Sequence, residues 1–136
     1  RPGLDRMDRM IGILLITHGS LGEALIQCAC HVLNRRPPQL LQLGMAGQDD
    51  PLDALPLARS LLGLVDGGNG VLVLTDVLGA TPANTAAKLL EAGRVEGVAG
   101  VNLPMLLRAI TYRERSMEVL LKKTVAGACE GVVHLK

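Results

Sequence analysis

Met10-Ile-Gly-Ile-Leu-Leu-Ile16 is an unbroken apolar run that stops at Thr17-His18-Gly19. A half-exposed strand would alternate apolar and polar residues. This one does not, so both of its faces are expected to be buried, as in a sheet covered by helices on each side. Downstream, Leu21, Leu25, Cys28, Ala29 and Val32 recur at helical spacing, with Glu23, Gln27, His31 and Asn34 on the other side. That pattern predicts a helix ending before Pro37-Pro38. Residues 39–43 read as a short second strand and residues 44–49 as a flexible loop. Asp50-Pro51 has the form of an N-cap followed by proline at the first helical position. Pro56 predicts a kink or a late start in the helix that runs on to Val65.

The glycine-rich turn at residues 67–70 leads into Val71-Leu-Val-Leu-Thr75, a central strand with no polar face. Thr81-Pro82 opens a helix as cap and proline, and Gly93 stops it. A strand over residues 95–101, a short helix from Pro104 through Ile110, and a last helix follow. The last helix carries Met117, Leu120, Leu121, Thr124 and Ala128 on one stripe. Residues 131–135 are available as a closing strand, antiparallel at the sheet edge. Strand and helix alternate throughout, which predicts one α/β domain over residues 10–136, doubly wound around a mainly parallel sheet. Residues 1–9 are polar and irregular and are expected to be an expression remnant or a frayed extension, with Met10 or Met7 as the native start.

A chain of 136 residues suffices for one core. With no Trp, no Phe and a single Tyr, that core must be built from Leu, Val, Ile, Ala and Met. Net charge is +1, and no Lys/Arg run interleaves with aromatics, so nucleic acid is excluded as a partner. Three cysteines make an odd set, and the Cys28-x-Cys30 spacing suits neither a redox pair nor zinc. A reducing compartment follows. The run at residues 11–16 falls short of the roughly 20 apolar residues a membrane span needs. A cytoplasmic protein with no stable membrane insertion is expected.

In open α/β sheets, ligands bind beyond the carboxyl ends of the strands, where strand order reverses. His18 follows the first strand and Asp76 follows the strand at 71–75. Taken singly, each has a plain structural reading: a histidine satisfied by nearby backbone, and an aspartate bonding its own turn. Together they suggest more. A carboxylate that accepts a bond from one imidazole nitrogen fixes the tautomer and leaves the other as a nucleophile. Val77-Leu-Gly79-Ala80-Thr81-Pro82 is a glycine turn feeding a helix N-terminus, a setting that suits a phosphoryl group and equally suits an ordinary helix start. His31 and His134 lack partners at ligand spacing, so no metal is expected. Cys28 falls in the apolar stripe and is read as core, with Cys30 incidental. A response-regulator receiver would need an acidic pair after the first strand, where this chain has Ile16-Thr17-His18. A flavodoxin would need a Thr/Ser-rich first loop and aromatics.

Three segments resemble the IIA component of mannose-family sugar phosphotransferase systems. They are Ile13-Leu-Leu-Ile-Thr-His18-Gly-Ser-Leu-Gly-Glu-Ala-Leu25, Gly70-Val-Leu-Val-Leu-Thr-Asp76-Val-Leu-Gly-Ala-Thr81-Pro-Ala-Asn84, and Val98-Ala-Gly-Val-Asn102-Leu-Pro104-Met-Leu106. The resemblance implies strand order 2-1-3-4, with the switch point between the His18 and Asp76 strands. It implies that His18 accepts phosphate on Nε2 from the phosphocarrier HPr and donates it to a IIB protein, with Asp76 orienting Nδ1. Gly19, Gly79, Ala80 and Thr81 would hold the phosphoryl oxygens, with no cofactor. Family members are commonly homodimers, often with an exchanged C-terminal strand, a role open to residues 131–135. Ala80 stands where sugar-transporting members often have a second glycine, Thr81 replaces serine and Leu78 a common tryptophan. Two alternatives stay beside sugar transport: a regulatory protein of an incomplete system, and the phosphotransfer subunit of phosphoenolpyruvate-dependent dihydroxyacetone kinase. The segments at 79–84 and 102–104 suit the mannose type better.

Overall fold

Strand and helix alternate as far as the fourth strand, which two helices follow, in the computed structural model, which describes residues 10–47 and 49–136. The elements are β1 (Gly12–His18), α1 (Leu21–Leu33), β2 (Leu40–Met45), α2 (Pro51–Val65), β3 (Val71–Thr75), α3 (Thr81–Ala87), β4 (Val95–Val98), α4 (Leu103–Tyr112) and α5 (Met117–Glu130). The sheet order is β2-β1-β3-β4 and every pairing is parallel. Order reverses between β1 and β3, so the residues that end these strands face one crevice. The expectation for residues 1–9 lies outside the described residues.

Successive strand residues point to opposite faces, and the apolar runs therefore feed two cores. On one face Ile13, Leu15, Leu72 and Leu74 meet Ile26 and Ala29 of α1, Met105, Leu106 and Ala109 of α4, and Leu120 of α5. On the other, Leu14, Ile16, Val71 and Val73 meet Ala58 and Val65 of α2 and Ala86 of α3. Each fully buried Leu or Ile contributes about 1.5–3 kcal/mol. Aliphatic packing on both sides of β1 and β3 thus replaces the missing aromatics.

The buried face of α1 differs from the expected stripe. Gly22, Ile26 and Ala29 are buried, Cys30 and Leu33 lie half-buried against the core, and Leu21, Cys28 and Val32 are exposed. The physical reason is Gly22, whose N–H donates to the Thr17 hydroxyl oxygen at 2.8 Å. A methyl group there would lie 3.0 Å from that oxygen, so the glycine sets which side meets the sheet while adding nothing to a hydrophobic pattern.

β2 extends through Gly44 to Met45, two residues into the expected loop, because Gly44 pairs with Thr17 and Met45 with His18. α2 starts as expected, with Asp50 Oδ1 accepting from the Leu52 N–H at 2.9 Å, and then runs unbroken through Pro56. α3 ends at Ala87, well before Gly93. Its N-cap is Ala80, so Thr81 is the first helical residue rather than the cap. β4 stops at Val98; beyond it the Gly100 N–H reaches the Asp76 carbonyl at 2.7 Å and the Val101 N–H the Thr75 carbonyl at 2.9 Å. Asn102 then caps α4, its Oδ1 accepting from the Met105 N–H at 2.9 Å.

Residues 131–135 form no strand. Among the described residues they pair with no strand, and Val132, Val133 and Leu135 stand exposed. At the amino ends of the strands, Arg113 is 3% exposed and donates to the carbonyls of Ile11, Pro38 and Gln39 at 3.0, 2.6 and 2.6 Å. Burial pushes its guanidinium down to about 10, Arg35 adds to the shift and Glu114 opposes it. One side chain thereby ties the starts of β1 and β2 to the end of α4. Among the described residues, no helix is long and apolar enough to cross a membrane.

Candidate functional site

His18 is the last residue of β1, where a buried strand emerges at the rim of the crevice. The chain leaves it through Gly19 at φ +50°, and the Gly19 N–H donates to the Met45 carbonyl at 2.8 Å. Asp76 follows β3 directly. Its Oδ2 accepts the His18 backbone N–H at 2.9 Å and lies 2.8 Å from ring Nδ1, while Oδ1 accepts the Val77 N–H at 2.9 Å. The carboxylate is nearly enclosed, 9% exposed, against 49% for the imidazole.

Burial works against ionisation of Asp76. The hydrogen bonds from the His18 backbone, the His18 ring and the Val77 backbone outweigh it and hold the carboxyl below the usual carboxylate value. An ionised carboxylate only accepts, so Nδ1 of a neutral ring must carry the proton. The lone pair is then on Nε2, to which no hydrogen bond is made among the described residues. The arrangement leaves Nε2 of a neutral ring facing the surface with its lone pair free.

The loop after Asp76 contributes exposed Val77 and Leu78, then Gly79 at φ +86°. The Ala80 N–H is turned back to the Val77 carbonyl at 3.4 Å, and the Gly19 N–H is taken by Met45. Among the described residues the N–H groups of Gly79 and Thr81 make no hydrogen bond, and Thr81 Oγ1 likewise makes none. His31 lies in the last turn of α1 and His134 near the end of the chain, both exposed. Cys28, Cys30 and Cys129 are free thiols.

Sequence reasoning missed two residues that hold the site's frame. Thr17 is buried and its hydroxyl anchors the start of α1. Gly44 was assigned to a loop, yet it lies in β2 directly against the Gly19 carbonyl. The apolar run Leu40-Leu-Gln-Leu43 with Met45 beyond it carried a signal for a longer strand, which the glycine masked.

Residues 12–125 match the family model described as PTS system fructose IIA component. The PTS system mannose-specific EIIAB component of Escherichia coli (strain K12) is 29% identical over 129 residues, which cover 93% of this chain and 40% of that protein. The chain therefore spans about two-fifths of the length of this relative. The mannose/sorbose specific IIA subunit of the phosphotransferase system from Enterococcus faecalis superposes with TM-score 0.82 at 21% identity, covering 93% of this chain and 96% of that one. The phosphotransferase system component EIIA from Streptococcus agalactiae does so with TM-score 0.80 at 23% identity, over 92% and 97%. At these identities the structures speak to the fold, and the family match covers most of the chain. The chain belongs to the mannose/fructose-type IIA family of the phosphotransferase system, whose members are phosphotransferase components.

Proposed function

We propose that this chain is a phosphoryl carrier that accepts phosphate from HPr on His18 Nε2 and passes it to a IIB protein. The observation that carries the reading is the 2.8 Å contact between His18 Nδ1 and an ionised, nearly enclosed Asp76. It supports a nucleophilic Nε2 in a half-exposed ring that a partner protein can reach.

The step balances simply. Nε2 forms a bond to the phosphorus of the donor phosphohistidine as the donor's P–N bond breaks, and the electron pair of that bond returns to the donor ring. Such transfers have loose transition states, so the protein contributes mainly position and charge stabilisation. Asp76 balances the positive charge that develops on the ring when Nε2 acquires its new bond. The N–H groups of Gly79 and Thr81 and the Thr81 hydroxyl are available for phosphoryl oxygens. Gly19 and Ala80 contribute turn geometry, since their own N–H groups are already engaged. Among the described residues, the loops at this end of the sheet, residues 18–20, 46–47, 49–50, 76–80 and 99–102, contain Asp49, Asp50 and Asp76 and no Lys or Arg. A cation for the transferring group would then come from the partner.

The experiment follows both half-reactions. The chain is incubated with phosphoenolpyruvate, enzyme I and HPr, isolated, and mixed with a mannose-type IIB protein, with intact mass read at each stage. A gain of one acid-labile phosphoryl group followed by its loss to IIB is expected. Phosphate that is accepted and never passed on would replace the carrier by a regulatory protein. No gain beside fully charged HPr would refute the reading.

A further inference from the structure

We propose that Gly44 is a positioning residue for His18: its missing side chain leaves the space in which the Gly19 carbonyl seats. This rests on the reading that His18 is the phosphoryl acceptor. Gly44 pairs with Thr17 and its neighbour Met45 with His18, so β2 lies alongside the last two residues of β1. The Met45 carbonyl takes the Gly19 N–H at 2.8 Å and draws the turn after His18 down onto β2. A Cβ on Gly44 would lie inside the van der Waals shell of the Gly19 carbonyl oxygen and 3.2 Å from its carbon. One side would have to move by about 1 Å to restore ordinary contact.

The two sides are unequally free to move. Gly44 is held in the parallel ladder between Leu43 and Met45, which are both buried. Gly19 is exposed, and nothing lies within 4 Å of where its own Cβ would be. The turn yields and the strand stays. The Gly19 carbonyl belongs to the residue directly after His18, whose backbone N–H and Nδ1 both dock on one oxygen of Asp76. Shifting that turn withdraws both groups together and frees the ring to exchange tautomers. Gly44 thus acts on the reaction through His18, with no contact to the phosphoryl group.

The test compares wild type, Gly44→Ala and Gly47→Ala, the last a neighbouring glycine with open space around its Cβ position. Two quantities are read: the rate of phosphorylation by charged HPr, and the ring 15N shifts of His18 in the unphosphorylated protein in alkaline buffer. A displacement of this size at a reacting centre costs about 10²-fold in rate. Gly44→Ala is expected to slow by that order and to show averaged ring shifts, while Gly47→Ala matches wild type in both. A folded Gly44→Ala with the wild-type tautomer and rate would overturn the proposal. If the variant unfolds, the comparison is repeated in the cold with sucrose, which favours the compact state. Failure to fold even there would assign Gly44 to the fold and likewise overturn the proposal. The ring shifts need no phosphate, so a wild type that is never phosphorylated would refute the carrier reading separately from the positioning one.

Discussion

Replacing Asp76 by Asn changes one atom and removes the charge that organises His18. In the wild type one carboxylate oxygen accepts two N–H groups of His18 and the other accepts Val77. An amide cannot do this. If its oxygen faces His18, its NH2 group meets the Val77 N–H donor to donor. If it turns over, the NH2 group faces the His18 backbone N–H, and the ring must turn Nδ1 into an acceptor. The second arrangement puts the proton on Nε2 and quenches the nucleophile. A hydrogen bond to a charged group is worth about 1.5–3 kcal/mol, which corresponds to about a ten- to 150-fold loss of transfer rate. The imidazole is half exposed, so water recovers part of this and the lower end of the range is expected. The assay is a rapid-quench time course of acid-labile phosphate transferred from charged HPr, with circular dichroism to establish folding. A folded Asp76→Asn protein that accepts phosphate at the wild-type rate would refute the orienting role.

The same carboxylate should appear in the acid stability of the fold. Its folded-state pKa is lowered, so it contributes stability that is fully present above the unfolded value of about 4 and lost as pH falls through the folded value. The stability difference between wild type and Asp76→Asn, measured by urea denaturation, should shrink as pH is taken below about 4; a difference that grew there would contradict the depressed pKa. Arg113→Leu should destabilise the domain by about 3 kcal/mol, because the Ile11 and Pro38 carbonyls lose a charged donor, a loss read as a lowered urea midpoint. On α1, Ala29→Leu should cost about 1–3 kcal/mol by overpacking and Cys28→Ser no more than about 0.5 kcal/mol. Equal effects would reverse the face on which that helix is buried.

The central strands were legible because burial on both faces leaves an uninterrupted apolar run, as at residues 11–16 and 71–74, with no alternation to misread. From those runs the positions of His18 and Asp76 followed, since each stands where a buried run ends. What escaped was carried by residues with little or no side chain, or by contacts remote in sequence. Gly22 turns α1 by bonding Thr17, and no count of hydrophobic spacing registers a glycine. Gly44 looked like a loop residue because glycine ordinarily weakens a strand, although here it is required by a close approach of backbone. Arg113 reads as one of many surface cations until the fold brings Ile11, 102 residues away, onto its Nε–H. Residues 131–135 have the composition of a strand, but a strand also needs a partner edge, and composition does not say where that edge is.

A single measurement decides which ring nitrogen of His18 carries the phosphoryl group. The 15N-labelled chain is charged through enzyme I and HPr, and a long-range 1H–15N spectrum then shows which ring nitrogen couples to phosphorus. One phosphoryl group is expected, on His18 Nε2, with Nδ1 still bearing its proton against Asp76, and none on a His18→Ala protein. Phosphate on Nδ1 or on any other residue would contradict it, because the nitrogen held at 2.8 Å from the carboxylate would then be the nucleophile or the crevice would not be the site.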